Sequence, residues 1–171
     1  MKILVFSDSH GCTDTMIAIA HKLEKDISHI LHLGDNTEDC GLLRRTFPAH
    51  TVCGVAGNCD FVTEDEMSAI IELSGKRIFM THGHRYSVKH APYRLLCAAK
   101  EREADITLYG HTHIAAITTE DGVLLMNPGS IARPRGYDHI SYGIIDIADD
   151  GAISASVVET HRGICKIIYS N

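Results

Sequence analysis

Ile106-Thr107-Leu108-Tyr109-Gly110-His111-Thr112-His113 is the stretch whose reading decides the fold. A short apolar run that stops abruptly at a polar block is the pattern of a buried strand delivering side chains to its carboxyl end. Glycine permits the tight turn or close backbone approach that such a stop requires. The same arrangement recurs upstream. Residues 2–7 run into Asp8-Ser9-His10-Gly11, residues 28–33 into Gly34-Asp35-Asn36, and residues 51–55 into Gly57-Asn58-Cys59-Asp60. Residues 77–81 run into His82-Gly83-His84. Any one of these blocks is an ordinary turn. Five in this order place Asp8, His10, Asp35, Asn58, His82, His111 and His113 at the carboxyl ends of successive strands, where sites form in open α/β sheets.

Helices are expected between the early strands. One follows residue 12, capped by Thr13 or Asp14, with Met16, Ile17, Ala20 and Leu23 on one face. A weaker one covers residues 38–46, and a third covers 92–103 with proline near its first turn. The last third of the chain changes character. Residues 115–119 and 123–127 read as a hairpin across Asp121-Gly122, as do 142–147 and 152–159 across Asp149-Asp150-Gly151; earlier in the chain, 67–73 and 77–81 read as one across Ser74-Gly75-Lys76. A final strand covers 164–169. A β-α-β-α-β opening with a β-rich close predicts an α/β fold, a four-layer α/β/β/α sandwich of two mixed sheets packed face to face with flanking helices. No linker, repeat or low-complexity stretch divides the 171 residues, so residues 1–171 are read as one domain.

Composition narrows the function. With 44% hydrophobic and 22% charged residues the chain matches an ordinary globular domain. No apolar run reaches the roughly 18 residues of a membrane helix, so no membrane partner is expected. The six cysteines form no C-x-x-C pair, which argues against a zinc ribbon and fits reduced thiols in the cytoplasm. The net charge is −6 and no block of Lys or Arg stands out, which argues against a nucleic-acid polymer as partner. An acidic protein that handles an anionic substrate needs a local source of positive charge, and metal ions supply one.

The seven ligand types are two carboxylates, one amide oxygen and four imidazoles. Mixed O/N sets suit Mn, Fe, Zn or Ni better than Ca or Mg. Seven side chains exceed the needs of one tetrahedral zinc and suffice for two ions sharing a carboxylate. A mononuclear zinc hydrolase would leave several of them without a role.

These blocks, together with Asn127-Pro128-Gly129-Ser130, resemble the ordered motifs of the calcineurin-like metallophosphoesterases, and in particular the small YfcE-type phosphodiesterases. The resemblance runs from the first strand to about residue 136. It implies a phosphoesterase, most simply a phosphodiesterase, with two divalent transition-metal ions per chain, Mn²⁺ first and Fe, Ni or Zn as alternatives. It implies that Asp8, His10 and His113 hold one ion, that Asn58, His82 and His111 hold the other, and that Asp35 bridges them. Hydrolysis would then proceed by in-line attack of a metal-bridging hydroxide, with Asn58, Asp35 and His82 as catalytic residues. Many relatives carry histidine directly after the asparagine; here the position is Cys59, a weak proton donor. Cys59, His84, Arg133 and Arg135 are the candidates for contact with a small phosphoester substrate. Tyr86 and Tyr137 are candidates for stacking on it. The small retromer subunit, a scaffold that shares the fold, supplies the alternative of a catalytically weak or inactive binding module. Relatives also suggest a homo-oligomer. The remaining histidines, His32 among them, are read as surface or packing residues.

Overall fold

Successive strand residues point to opposite faces, and the first strand shows what that does here. Ile3 and Val5 enter one hydrophobic cluster, while Leu4 and Phe6 enter another. A strand buried on both faces lies in the middle of a layered structure. The computed structural model describes residues 1–136, 138–161 and 163–171. The elements are β1 (Lys2–Phe6), α1 (Thr13–Leu23), β2 (His29–His32), α2 (Thr37–Thr46), β3 (Thr51–Gly54), β4 (Ser68–Leu73) and β5 (Lys76–Thr81). After them come α3 (Tyr93–Glu101), β6 (Ile106–Leu108), β7 (Ala116–Glu120), β8 (Val123–Asn127), β9 (Ile140–Ile147), β10 (Ile153–His161) and β11 (Ile164–Ser170). A short 3₁₀ turn, His84–Tyr86, follows β5.

Two mixed sheets result. The first has the order β11-β10-β9-β1-β2-β3 and the second β4-β5-β6-β8-β7. In the first sheet β1, β2 and β3 are parallel, with Leu4 opposite Ile30 and Leu31 opposite Cys53, and β9 adds antiparallel to β1. In the second, β5, β6 and β8 are parallel. The two sheets face each other across Ile3, Val5, Leu31, Ile78, Met80, Leu108 and Met126. The outer face of the first sheet packs on α1 and α2 through Leu4, Phe6, Met16, Ile19, Leu43 and Phe47. The outer face of the second packs on α3 through Phe79, Leu95, Ala99 and Leu125. The four-layer sandwich is therefore the observed architecture.

Helix ends differ from the sequence reading in ways local chemistry explains. The N-cap of α1 is Cys12 and makes no side-chain capping bond, so Thr13 is the first helical residue and Asp14 sits in the first turn, where the helix dipole favours a negative charge. Pro92 caps α3, which ends at Glu101 rather than Glu103 because Glu103 takes a left-handed φ of 53°. The tight hairpins hold: Ser74-Gly75 and Asp121-Gly122 all have positive φ, as the mirror-image two-residue turns demand. No described helix is long and apolar enough to cross a membrane.

The parallel strands β1, β2, β3, β5 and β6 all run into loops on one side of the molecule, and those loops carry the polar blocks. Their precision depends on the core between the sheets. Leu31 is fully buried there, and Leu31→Ala is expected to cost about 2–5 kcal/mol of unfolding free energy, measured by urea denaturation.

Candidate metal centre

Asp8, at the end of β1, has no exposed surface. Its Oδ2 accepts from the Ser7 hydroxyl at 2.6 Å and from the His111 backbone N–H at 3.1 Å. Its Oδ1 is buried without a hydrogen-bond donor. The neighbours of that oxygen explain why. His113 donates Nδ1–H to the Arg133 carbonyl at 2.6 Å, which leaves the lone pair of Nε2 facing Asp8 Oδ1 at 3.1 Å. His82 donates Nδ1–H to the Leu33 carbonyl at 2.7 Å. Its Nε2 therefore faces Asn58 Oδ1 at 3.2 Å, Asp35 Oδ1 at 3.4 Å and Asp8 Oδ1 at 3.9 Å. Five groups turn acceptors toward a common space, and only a positive charge can relieve that arrangement. A backbone carbonyl fixing the far nitrogen of an imidazole is also how metal-ligating histidines are oriented.

The electrostatics carry the same message. Burial pushes the Asp8 carboxyl up, but the close approach of the His113 ring, the charge of His82 and the Ser7 hydroxyl together hold it below the ordinary range. Burial also opposes ionisation of Asp35; His82 and the Cys59 N–H outweigh it and hold that carboxyl well below its usual range. His113 is raised, first by the Asp8 carboxylate it faces and against burial. His82 is raised by Asp35 and Asp8 despite burial. His111 has no such partner: burial and the nearby charge of His82 push it down to about 4. Without a metal, the facing carboxylates favour protonation of His82 and His113.

Asp8, His10, Asp35 and His113 each present a ligand atom within 4.8 Å of the others. This is the set expected for one ion together with the expected bridge. His82 and Asn58 contact the other side of Asp35, and the His111 ring lies 5.1 Å from that of His82. The donor set thus fits divalent metal.

The backbone that presents these groups is unusual. Asp8, His10, Asp35, His111 and His113 have φ of 53°, 44°, 59°, 68° and 60°. Non-glycine residues rarely adopt the left-handed region, and clusters of them mark functional sites. Two glycines serve a different need. A Cβ on Gly57 would strike Asp35 Oδ1, and one on Gly110 would strike Ser7 Oγ and come within 2.7 Å of Asp8 Oδ2. Neither glycine has positive φ, so close approach is what these positions require.

Two carboxylates given no role in the sequence reading hold the loops together. Asp60 accepts from the Asp35 and Gly57 N–H groups through Oδ2, at 3.0 and 2.7 Å, and from Thr37 N–H through Oδ1 at 2.9 Å. It ties two ligand loops to each other and caps α2. Asp39, in the first turn of α2, accepts from the Ser9 hydroxyl at 2.7 Å and from Gly11 N–H at 2.8 Å. His32 completes that brace. It accepts from Gly34 N–H on Nδ1 and shares a 2.9 Å bond with Ser9 through Nε2. His32, expected to be a surface or packing residue and not a ligand, is fully buried and polar-bonded, and burial drives it down to about 4. Asn127 donates to the Gly110 carbonyl and Ser130 to the Asp8 carbonyl, so the Asn-Pro-Gly-Ser string fixes two more loops.

A cavity of about 340 Å³ opens onto His10, Asp35, Asn58 and His111, with Cys59, Arg133 and Arg135 in its wall. Lys89, which no motif singled out, lines it too. Cys59 is exposed; burial of its thiol and the charge of Asp35 push it up, so it stays a neutral thiol. His84 lies 5.5 Å from His82 and 6.1 Å from His111, ring to ring, at the back of the cluster. Tyr86 packs edge-on against Phe79, which removes it as a stacking surface for this cavity. Tyr137 lies outside the described residues. A separate groove of about 490 Å³ between α1 and the β10–β11 hairpin has Asp14 as its one carboxylate and no histidine, so metal chemistry does not belong there.

A two-sheet sandwich that converges carboxylates and imidazoles on one open cavity defines the class of metal-dependent phosphoesterases. Comparison with known proteins agrees. The chain belongs to the calcineurin-like phosphoesterase superfamily, whose domain model matches residues 1–150. It is 33% identical over 153 residues to the Bacillus subtilis protein named Probable metallophosphoesterase YsnB, covering 89% of this chain and 88% of that one. It is 30% identical over 106 residues to the Escherichia coli phosphodiesterase YfcE, covering 57% of this chain and 54% of that one. A crystal structure of Entamoeba histolytica Vps29 complexed with zinc matches with a TM-score of 0.81 at 22% identity, over 100% of this chain and 98% of that one. At that identity it shows the shared fold.

Two predictions follow from the braces. Asp60→Asn replaces an acceptor of three N–H groups with one that can serve them only in part, and is expected to weaken metal binding 10–100-fold, read by competition with a chelating dye. His32 stays neutral in the folded chain down to about pH 4 but takes a proton near pH 6.5 when unfolded. The unfolded state therefore binds more protons between those values, and stability falls as pH drops from about 6.5 to 4, by up to about 3 kcal/mol. His32→Gln is expected to flatten this dependence in metal-free denaturation curves.

Proposed function

We propose that the protein is a phosphodiesterase with two divalent transition-metal ions per chain, Mn²⁺ foremost, acting on a small phosphoester in the cytoplasm. The observation that carries the reading is the set of facing acceptors: Asp8, Asp35, Asn58, His82 and His113 turn oxygens and ring nitrogens toward one space, and Asp8 Oδ1 is buried there without a donor. Asp8, His10 and His113 would hold one ion, Asn58, His82 and His111 the other, with Asp35 shared. When bound, such ions neutralise phosphoryl charge and acidify a water.

The chain's own residues do the rest. The carbonyls of Leu33 and Arg133 lock the His82 and His113 rings, so the reacting geometry is set before substrate arrives. Arg133, Arg135 and Lys89 line the same cavity and attract the anionic phosphate into an otherwise acidic protein. An arginine fork suits two phosphoryl oxygens at once. Asn58, on the exposed rim, can turn its amide N–H toward a phosphoryl oxygen. The Cys59 Sγ–H is the acidic hydrogen next to the site, and a thiol held above its ordinary range protonates a leaving group poorly. Esters with good leaving groups are therefore favoured, and the six free cysteines suit a reducing compartment.

The test is reconstitution. Chelator-treated protein given Mn²⁺ is expected to bind close to two ions per chain and to hydrolyse bis(p-nitrophenyl) phosphate. Asp35→Ala is expected to lose at least one ion per chain and to drop turnover by at least 10³-fold. A protein that binds the metal yet hydrolyses no ester supports the scaffold reading.

A further inference from the structure

Beside the metal cavity lies a second one, of about 390 Å³, walled by the apolar groups of Val88, Tyr109, Ile114 and Ala116. The two cavities share Lys89 and Arg135. The same two cations that border the phosphate space thus border an apolar space next to it. The wall is not closed by packing: Ile114 leaves 46% of its surface exposed. Tyr109 and Thr112 are its uncharged polar members. Tyr109 is 8% exposed as a whole, no described residue makes a hydrogen bond with its hydroxyl, and that oxygen is not among the buried unpaired atoms. The hydroxyl is therefore open to water and to the acceptor of a ligand.

We propose that this second cavity is a specificity subsite of the phosphoesterase, taking the retained alcohol of a phosphodiester whose organic part is a flat, mostly apolar ring bearing a hydrogen-bond acceptor. The inference rests on the phosphoesterase reading and refines it. Lys89 and Arg135 stand at the junction, where the phosphate links the two halves of such a substrate. Ile114, Ala116 and Val88 bury the ring, and Tyr109 donates to its acceptor. A pocket of this size, apolar with one or two convergent polar groups, is the usual form of a small-molecule site. A bare monoester would leave the cavity unfilled, and a purely aliphatic chain would displace water from the Tyr109 hydroxyl without replacing its bond.

The test holds the leaving group constant. Methyl, phenyl and 3-pyridyl p-nitrophenyl phosphates are compared by nitrophenol release in the Mn²⁺-loaded protein. The phenyl ester is expected to have a KM at least tenfold below the methyl ester, and the pyridyl ester a KM lower again by about threefold. Ile114→Ser is expected to shrink the phenyl-over-methyl advantage by at least threefold. Tyr109→Phe is expected to erase the pyridyl-over-phenyl advantage, and Ile164→Ser, distant from both cavities, to change neither ratio. Equal KM values for the three esters, or variants that lower all three alike, overturn the subsite while leaving the phosphoesterase reading intact. Hydrolysis of none of them overturns that reading and the subsite with it.

Discussion

A buried carboxylate oxygen with no donor, Asp8 Oδ1, is the constraint on which the arrangement depends. Taking a carboxylate out of water costs several kcal/mol unless a positive charge accompanies it. In this chain the nearest candidates, the Nε2 atoms of His113 and His82, present lone pairs unless they are protonated. The protein has therefore built a space that must hold either protons or metal ions. Metal binding then competes with protons and stabilises the folded state, because the unfolded chain has no such space.

The backbone carries the cost of bringing those groups together. Left-handed residues other than glycine are each unfavourable by about 1–3 kcal/mol, and five of the seven proposed ligands are of this kind. Such conformations persist when surrounding bonds over-determine them. Ser130 holds the Asp8 carbonyl, Asn127 holds the Gly110 carbonyl, Asp60 holds the Asp35 N–H, and Asp39 with Ser9 and His32 holds the loop before α1. These braces come from elements far apart in sequence. The core between the sheets keeps their ends in register.

That division explains what could be read from the residues alone. The strands, their order along the chain and the seven side chains that gather at the strand ends were legible, because each short apolar run ends in a polar block and because Asp121-Gly122 and Ser74-Gly75 mark hairpins. The two-sheet architecture followed from the change in pattern after residue 110. The braces were not legible. Asp39 looks like an ordinary acidic residue in the first turn of a helix, and Asp60 looks like a loop aspartate; only the fold shows which N–H groups they meet. His32 alternates correctly for a strand, yet alternation cannot tell a surface face from a polar interior. Lys89 belongs to no motif, and the apolar cavity joins Val88 to Ile114 through contacts no local pattern records.

Fold alone does not distinguish a catalyst from a binding module. The catalytic reading proposed above rests on the shape and charge of the site. A structural metal site is closed by its own ligands, whereas a catalytic one keeps positions open to a substrate. Here His10, Asp35, Asn58 and His111 line an open cavity instead of facing sealed protein. Cations occupy its edge although the chain is acidic overall, an arrangement that serves an arriving anion and would serve a metal ion badly. A structural role would place those positive charges elsewhere, away from bound metal. Their position beside the ligands is what an anionic substrate, drawn in against the net charge of the protein, demands.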